Sequence, residues 1–428
     1  LRTCRSFKVK SIPKTKKALL QWSKAFEKAI WLDSNNHQDP YSSFEACLAI
    51  GEAQRLSSLD EIATFVNGQP DWLFGYFSYD LKNELEDLAS NNVDGLEFPL
   101  LYFFQPKKVI VLKGGELHFQ YLETYQDELE EDFSHISELE DIEEISLLRS
   151  NPVKIKMRIH KDAYFEKANR FLEHIHRGDI YEANFCQEFY AEGVQLDPLE
   201  IYKKLNAISE PPFATFMRLN DHYLMCASPE RFLKKVGQKI ISQPIKGTAP
   251  RGKTKLEDLQ FKTDLEHDEK ERAENIMIVD LVRNDLSKSA LQGSVQVEEL
   301  CKVHNYKQVH QMISTVVSII SKEKNPVELI KETFPMGSMT GAPKLSAMQI
   351  IENLEETKRG LYSGAVGYFD PNGDFDFNVV IRSILYNGSS KYVSFSVGSA
   401  ITSKSDPEKE YRECLLKAKA MRKVLEKG

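Results

Sequence analysis

Residues able to do chemistry gather in the second half of this chain. Lys246 lies in Ser242-Gln243-Pro244-Ile245-Lys246-Gly247-Thr248-Ala249-Pro250-Arg251-Gly252, where proline and glycine bracket a lone cation on constrained backbone. A lysine held this way can anchor an anion, pair with a carboxylate, or act as a nucleophile once it loses its proton. The last role demands a value well below the ordinary ~10.4, which a dry pocket and a nearby metal cation would have to supply. Glu271 and Glu274 stand three apart in a helical run, as do Glu410 and Glu413 in the last helix, so each pair shares a helical face. Two such faces brought together concentrate carboxylates that repel unless a cation sits between them, and hard oxygen donors suit Mg²⁺. On surface helices the same spacing is commonplace. Glu230, in Ala227-Ser228-Pro229-Glu230-Arg231-Phe232, follows a strand and reads first as a turn acid. Arg382, in Val379-Val380-Ile381-Arg382-Ser383-Ile384, sits in an apolar strand pattern, so an anion is expected beside it, either a structural Asp or Glu or a ligand.

The elements that must position these residues show periodicity of both kinds. An amphipathic helix spans Asp162 to Arg177, is ended by Gly178-Asp179, and leads into a strand over Ile180 to Tyr190. Further strands are predicted at 213–218, 223–227, 364–369, 377–385 and 392–397, with long helices at 264–285, 305–320 and 407–426. In the first part, Trp72 to Asp80 forms an aromatic strand interrupted by Gly75, where backbones can approach. Val109 to Phe119 carries a hairpin signature around Gly114-Gly115. From Glu123 to Glu144 acids dominate, reading as a solvated helix or linker. Strands followed by helices without regular alternation suggest an α+β architecture.

Four stretches taken together resemble the chorismate-utilising enzymes, the family of anthranilate, aminodeoxychorismate, isochorismate and salicylate synthases. They are Pro244-Ile245-Lys246-Gly247-Thr248, Glu271-Arg272-Ala273-Glu274-Asn275, Gly337-Ser338-Met339-Thr340-Gly341-Ala342-Pro343-Lys344, and Ser405-Asp406-Pro407-Glu408-Lys409-Glu410-Tyr411. The likeness is strong from about residue 155 and faint before it. It implies two antiparallel sheets packed face to face with helices outside, an N-terminal region over 1–150 interleaved with the main domain, and a chorismate-binding catalytic domain over 151–428. It assigns Glu271, Glu274, Glu410 and Glu413 to a magnesium site and Glu230 to a general acid that assists departure of the C4 hydroxyl. Arg382, Tyr362 and the turn at Gly398-Ser399-Ala400-Ile401 become contacts for the substrate, the turn through backbone N–H groups; Ala400 replaces the more usual glycine, which would tighten it. Thr248 and Lys344 are candidates for the pocket wall. A family histidine linked to pyruvate elimination falls on Gln311. His310 is one residue early, turned about 100° away on the predicted helix. Gln311 is left to orient substrate by hydrogen bonding.

Within the family, a lysine at position 246 resembles the aminodeoxychorismate synthases, whereas anthranilate synthases typically carry alanine. Glu182 stands where isochorismate and salicylate formers carry a lysine base and where ammonia users more often have glutamine. The resemblance therefore implies conversion of chorismate and ammonia to 4-amino-4-deoxychorismate through a Lys246 adduct, toward para-aminobenzoate and folate. No Gly-x-Cys-x-Gly elbow is present, so ammonia is expected from a glutamine amidotransferase partner. Anthranilate synthase component I, and a non-catalytic chorismate-binding regulatory subunit, are the rival readings. Bulk properties agree with a globular enzyme of small anions: 428 residues, 41% hydrophobic and 28% charged, with net charge −8 and no dominant basic face for nucleic acid. The 6 cysteines are scattered without a Cys-x-x-Cys pair. With no membrane-length apolar run and no signal-like start, a cytoplasmic protein is expected.

Overall fold

Strand Leu101–Lys113 is long enough to serve two sheets, and it does. One edge pairs along its length with Ala46–Leu56. The other is divided: Leu101 to Phe104 pair with Leu73–Phe77, and Lys108 to Lys113 pair with Glu116–Leu122 in the expected hairpin. Pro106, which has no N–H to donate, falls in the gap between the two partners. The structure is a computed structural model that describes residues 1–37, 39–68, 70–142, 152–307 and 309–427.

From that shared strand one sheet runs through Ala46–Leu56, Lys28–Asp33, Phe213–Leu219, His222–Ser228, Ser383–Asn387, Tyr392–Thr402 and Glu182–Ala191. The other runs through Leu73–Phe77, Ala365–Phe369, Phe375–Val379, Arg231–Val236, Lys239–Gln243 and Val309–Ile319, the last flanked by Ile245–Pro250 and Gln296–Asn305. These ladders are all antiparallel, and the fold is α+β as expected. The two sheets are not separate, however, because Leu101–Lys113 joins them into one continuous ladder. Strands from early in the chain lie between later ones: Lys28–Asp33 pairs with Phe213–Leu219, and Leu73–Phe77 with Ala365–Phe369.

Alternation in Lys28–Asp33 shows how the layers part. Ile30 and Leu32 enter one apolar cluster with Phe103, Val316 and Phe377, which draws on both sheets. Trp31 faces the other way, into a cluster with Leu19, Phe171, Leu205, Ile351 and Met421 from the outer helices. Gly75 is needed where strands crowd, since a Cβ there would lie 2.1 Å from the Tyr102 carbonyl oxygen. Among the described residues no helix is long and apolar enough to cross a membrane.

Three sequence expectations are corrected and a fourth is narrowed. The helix over 305–320 is a strand, Val309–Ile319. Its run of valine and isoleucine is buried on both faces, which erases the alternation that would have marked it. The strand over 377–385 is two, Phe375–Val379 and Ser383–Asn387, broken at Val380 to Arg382. The helix over 264–285 is also two, Lys255–His267 and Glu269–Ser287, because the Asp268 side chain accepts the Glu271 N–H and caps the second. The acid-rich stretch is no linker across its described part: helix Leu129–Leu139 buries Leu129 and Ile136, and Asp132 pairs with Lys108. Residues 143–144 of that stretch and the boundary at 150/151 lie outside the described residues.

Phe103 is fully buried against Phe77, Phe369 and Phe377, on the strand that joins the sheets. Phe103→Ala should cost about 3–5 kcal/mol through lost burial and the cavity left behind. The denaturation midpoint should fall accordingly, and an unchanged midpoint would show that this junction does not carry the core.

Candidate active site

The site is built at the seam where the sheets diverge. Strand Tyr392–Thr402 pairs with Glu182–Ala191 from Val393↔Ala191 to Thr402↔Glu182. Its other edge meets Ser383–Asn387 only from Tyr392 to Ser394 and is free of strand partners beyond that. The free edge faces the break at Val380 to Arg382. There Arg382 adopts φ 53°, a left-handed conformation that costs energy for a non-glycine residue. The Gly398 segment is therefore strand and not the expected turn, so Ala400 tightens nothing and simply pairs with Asn184. The reason for glycine is closeness, since a Cβ at Gly398 would lie 2.5 Å from Cys186 Sγ on the adjoining strand.

Lys246 points into this seam from a bulge in Ile245–Pro250, between the pairs Ile245↔Ile313 and Thr248↔Gln311. Its Nζ donates to Glu182 Oε1 at 2.8 Å, and Glu182 is 1% exposed with Oε2 left without a partner. Burial alone would lower the lysine, but Glu182, Glu274 and Glu413 outweigh it and hold Lys246 above the ordinary lysine range. Without a cation beside it the ammonium is charged, and its hydrogen-bonded acceptor is Glu182.

Glu230 is buried, and its Oε1 accepts from Ser338 Oγ at 2.6 Å. Desolvation pushes its carboxyl up to about 7 despite that hydrogen bond and the nearby Lys246. A carboxyl of that value is protonated below neutrality and can deliver a proton there.

Helices Glu269–Ser287 and Pro407–Lys427 bring the four glutamates to one place. Lys270 reaches Glu274 Oε1 at 3.6 Å and Glu410 Oε1 at 3.5 Å, linking the helices. Ser399 Oγ donates to Glu410 Oε2. Burial, then Glu413, raises Glu271, and burial pushes Glu274 up to about 7. Burial also acts upward on Glu413, but Lys417, Lys246 and Lys270 together hold it below the ordinary range. Lys417 pairs with Glu413 Oε1 at 2.7 Å and donates to the Gly398 carbonyl at 2.8 Å. Mutually repelling carboxylates, Glu410 buried and the other three half-buried, with Glu274 Oε1 lacking a hydrogen-bond partner among the described residues, fit a hard divalent cation in chemistry. Among the described residues no group of three or more acids, histidines or cysteines is placed to hold a metal ion as it stands, so the glutamates would have to close on a cation.

Arg382 is half-buried and, among the described residues, has no carboxylate within ion-pair distance; burial lowers it against the pull of Glu413 and Tyr362. Among the described residues, then, no side chain supplies the anion expected beside it. Tyr362 is buried with its hydroxyl 3.7 Å from Cys186 Sγ. Gln311 is buried, with Oε1 unpartnered. His310 faces the opposite side, as neighbours on a strand do, and is held by Asp258 and Asn305 at 2.9 Å each. Thr248 is exposed. Lys344 is committed elsewhere, to Asp285 and the Thr333 carbonyl, a structural tie and not a pocket contact.

Sequence reasoning passed over Lys270, Lys417, Ser338 and Arg359. Both lysines stand four residues from a cluster glutamate, a helix-pair signal that is usually solvent-exposed. Arg359, just before Tyr362 in the chain, is buried and clamps Glu355, the Asn184 carbonyl and the Met339 carbonyl behind the site.

Comparison with known proteins bears on this geometry. The family model described as chorismate binding enzyme matches residues 13–423, reaching well before residue 155. The anthranilate synthase component I-like protein of Synechocystis is 36% identical over 356 residues, 83% of this chain and 72% of that one. Aminodeoxychorismate synthase component 1 of Bacillus subtilis is 33% identical over 362 residues, 82% of this chain and 76% of that one. The crystal structure of anthranilate synthase component I from Streptococcus pneumoniae superposes with a TM-score of 0.78 at 26% identity, covering 90% of this chain and 94% of that one.

Glu230 should reveal itself by titration. The infrared carboxyl signal that Glu230→Gln removes should ionise near pH 7, the buried value. Ser338→Ala, by deleting a donor that favours the ionised form, should move that midpoint upward. A midpoint in the usual carboxylate range would remove Glu230 as an acid near neutrality.

Proposed function

Since the chain belongs to the chorismate binding enzyme family, we propose that it is the chorismate-aminating component of an aminodeoxychorismate synthase. It takes ammonia from a glutamine amidotransferase partner and makes 4-amino-4-deoxychorismate for para-aminobenzoate and folate in the cytoplasm. The carrying observation is the Lys246 ammonium, half-buried at the seam, 2.8 Å from the Glu182 carboxylate and close enough to Glu230 to affect its ionisation. The relative's printed designation, component 1, supports a separate partner subunit.

In this reading Glu271, Glu274, Glu410 and Glu413 hold Mg²⁺, which when bound supplies positive charge for the substrate's ring carboxylate. Arg382 takes the other carboxylate by its guanidinium fork. Tyr362, Gln311 and the open edge at Gly398 and Ser399 complete the cradle. Lys246 passes a proton to Glu182 and attacks C2 with the freed electron pair. Both ring double bonds shift by one position, the C4–O bond breaks, and Glu230 protonates the departing hydroxyl, which leaves as water. Ammonia then forms the C4–N bond and gives a proton to Glu230, both double bonds return, and the C2–N bond breaks as the Lys246 amine takes its proton back from Glu182. The sum is chorismate and ammonia in, aminodeoxychorismate and water out.

Anthranilate synthase component I is the second reading, favoured by the Synechocystis relative at 36% identity. It requires ammonia at C2, where Lys246 would be in the way. A regulatory subunit without chemistry is disfavoured by the assembled lysine, acid and carboxylates.

Lys246→Ala should abolish the protein–substrate adduct seen by intact mass and lower product formation at least about a hundredfold. Full activity with ammonium would remove the covalent role. The product should keep its enolpyruvyl group. A lactate dehydrogenase-coupled assay with chorismate, Mg²⁺ and ammonium should therefore stay near background while chorismate disappears. Stoichiometric pyruvate with anthranilate fluorescence would replace this reading with the second.

A further inference from the structure

Three lysines share the carboxylate cluster, and they are held differently. Lys246 is paired with Glu182, and Lys417 is fastened at both Glu413 and the Gly398 carbonyl. Lys270 spans two helices, 3.6 Å from Glu274 Oε1 and 3.5 Å from Glu410 Oε1. Both distances exceed the roughly 2.7–2.9 Å of a good charge-assisted hydrogen bond. Glu410 is served at both oxygens, by Lys270 and Ser399, but Glu274 Oε1 keeps no hydrogen-bond partner among the described residues. The Lys270 side chain is 45% exposed while those of Glu274 and Glu410 are 12% and 3% exposed. The cation can therefore retreat into water, but the anions cannot. Burial draws Lys270 down, yet Glu274, Glu410, Glu271 and Glu413 all act on it and together hold it charged.

We propose that Lys270 is a built-in competitor of the divalent cation: its ammonium bridges Glu274 and Glu410 when the metal is absent and leaves for solvent when the metal takes those oxygens. The proposal rests on the reading that the four glutamates hold Mg²⁺. Its physical basis is exchange of one charge for two. A single ammonium at long range keeps the two helices from repelling each other. A divalent ion at closer range neutralises more charge and releases a long, flexible side chain to water. Cation binding is thereby made weaker than the donor set alone would allow, and the metal-free form is kept intact.

The test uses the full chain without chorismate, with Mn²⁺ binding followed by loss of the free-ion paramagnetic resonance signal. Lys270→Met removes the charge but keeps the stem, and it should bind Mn²⁺ about tenfold tighter, a modest factor because a half-exposed ammonium is screened. Mn²⁺ should also raise its melting temperature more than that of the wild type, since its metal-free carboxylates lack their bridge. Lys270→Arg, whose forked head serves two carboxylates better, should bind Mn²⁺ more weakly than the wild type. An order other than Met tightest, wild type next and Arg weakest overturns the proposal. Glu274→Gln and Glu413→Gln separate its failure from that of its premise: if both bind Mn²⁺ as tightly as the wild type, the glutamates are not the ligands and the competitor has nothing to compete for.

Discussion

Carboxylates crowded where water is scarce are the constraint around which this molecule is arranged. Glu182, Glu230, Glu274 and Glu410 are held in or beside one seam with little access to solvent. At effective dielectrics typical of protein, two such charges 4 Å apart repel by about 4 kcal/mol. The structure answers in three ways. It protonates, since burial lifts Glu230 and Glu274 up to about 7. It pairs, with Lys246 on Glu182 and Lys417 on Glu413. It leaves one guanidinium, Arg382, without an acidic partner among the described residues and so ready for an incoming anion.

The sheets make this crowding possible by diverging. Strand Tyr392–Thr402 stays with Glu182–Ala191 to its end but loses Ser383–Asn387 beyond Ser394. The gap is filled by side chains from the other sheet and from two helices, so stretches far apart in the chain supply the site. Rigid strands fix Glu182, Lys246 and Gln311. The helices bring pairs of glutamates whose spacing keeps both members on one face. The Arg382 backbone is strained where the strand breaks, the kind of local cost met at functional sites and sustained by the surrounding core.

Much of this was legible in the sequence because it is written in short motifs. The helix predicted over 162–177 is observed as Lys161–Arg177, ended by left-handed Gly178. The glutamate pairs, Glu230 and Arg382 carry their signal in neighbouring residues. What escaped was decided by partners far along the chain. Lys246 and Glu182 are 64 positions apart, and only their contact shows that the lysine is charged. Val309–Ile319 was misread because a strand covered on both faces has no alternation to see. The break before Ser383 hides inside residues that all favour strands, and Lys270 and Lys417 look like any lysines on a helix surface.

The strand shared by the two sheets also sets the order in which the chain can be made. Leu73–Phe77 waits for Ala365–Phe369, and Lys28–Asp33 waits for Phe213–Leu219. During synthesis the first third therefore emerges with hydrogen-bonding edges that have no partner, and it stays so until most of the polypeptide has been produced. Unpaired edges invite pairing with other chains. This topology thus trades an early, independent folding unit for a seam built from distant segments. Its vulnerable period is the interval of translation before the late strands arrive.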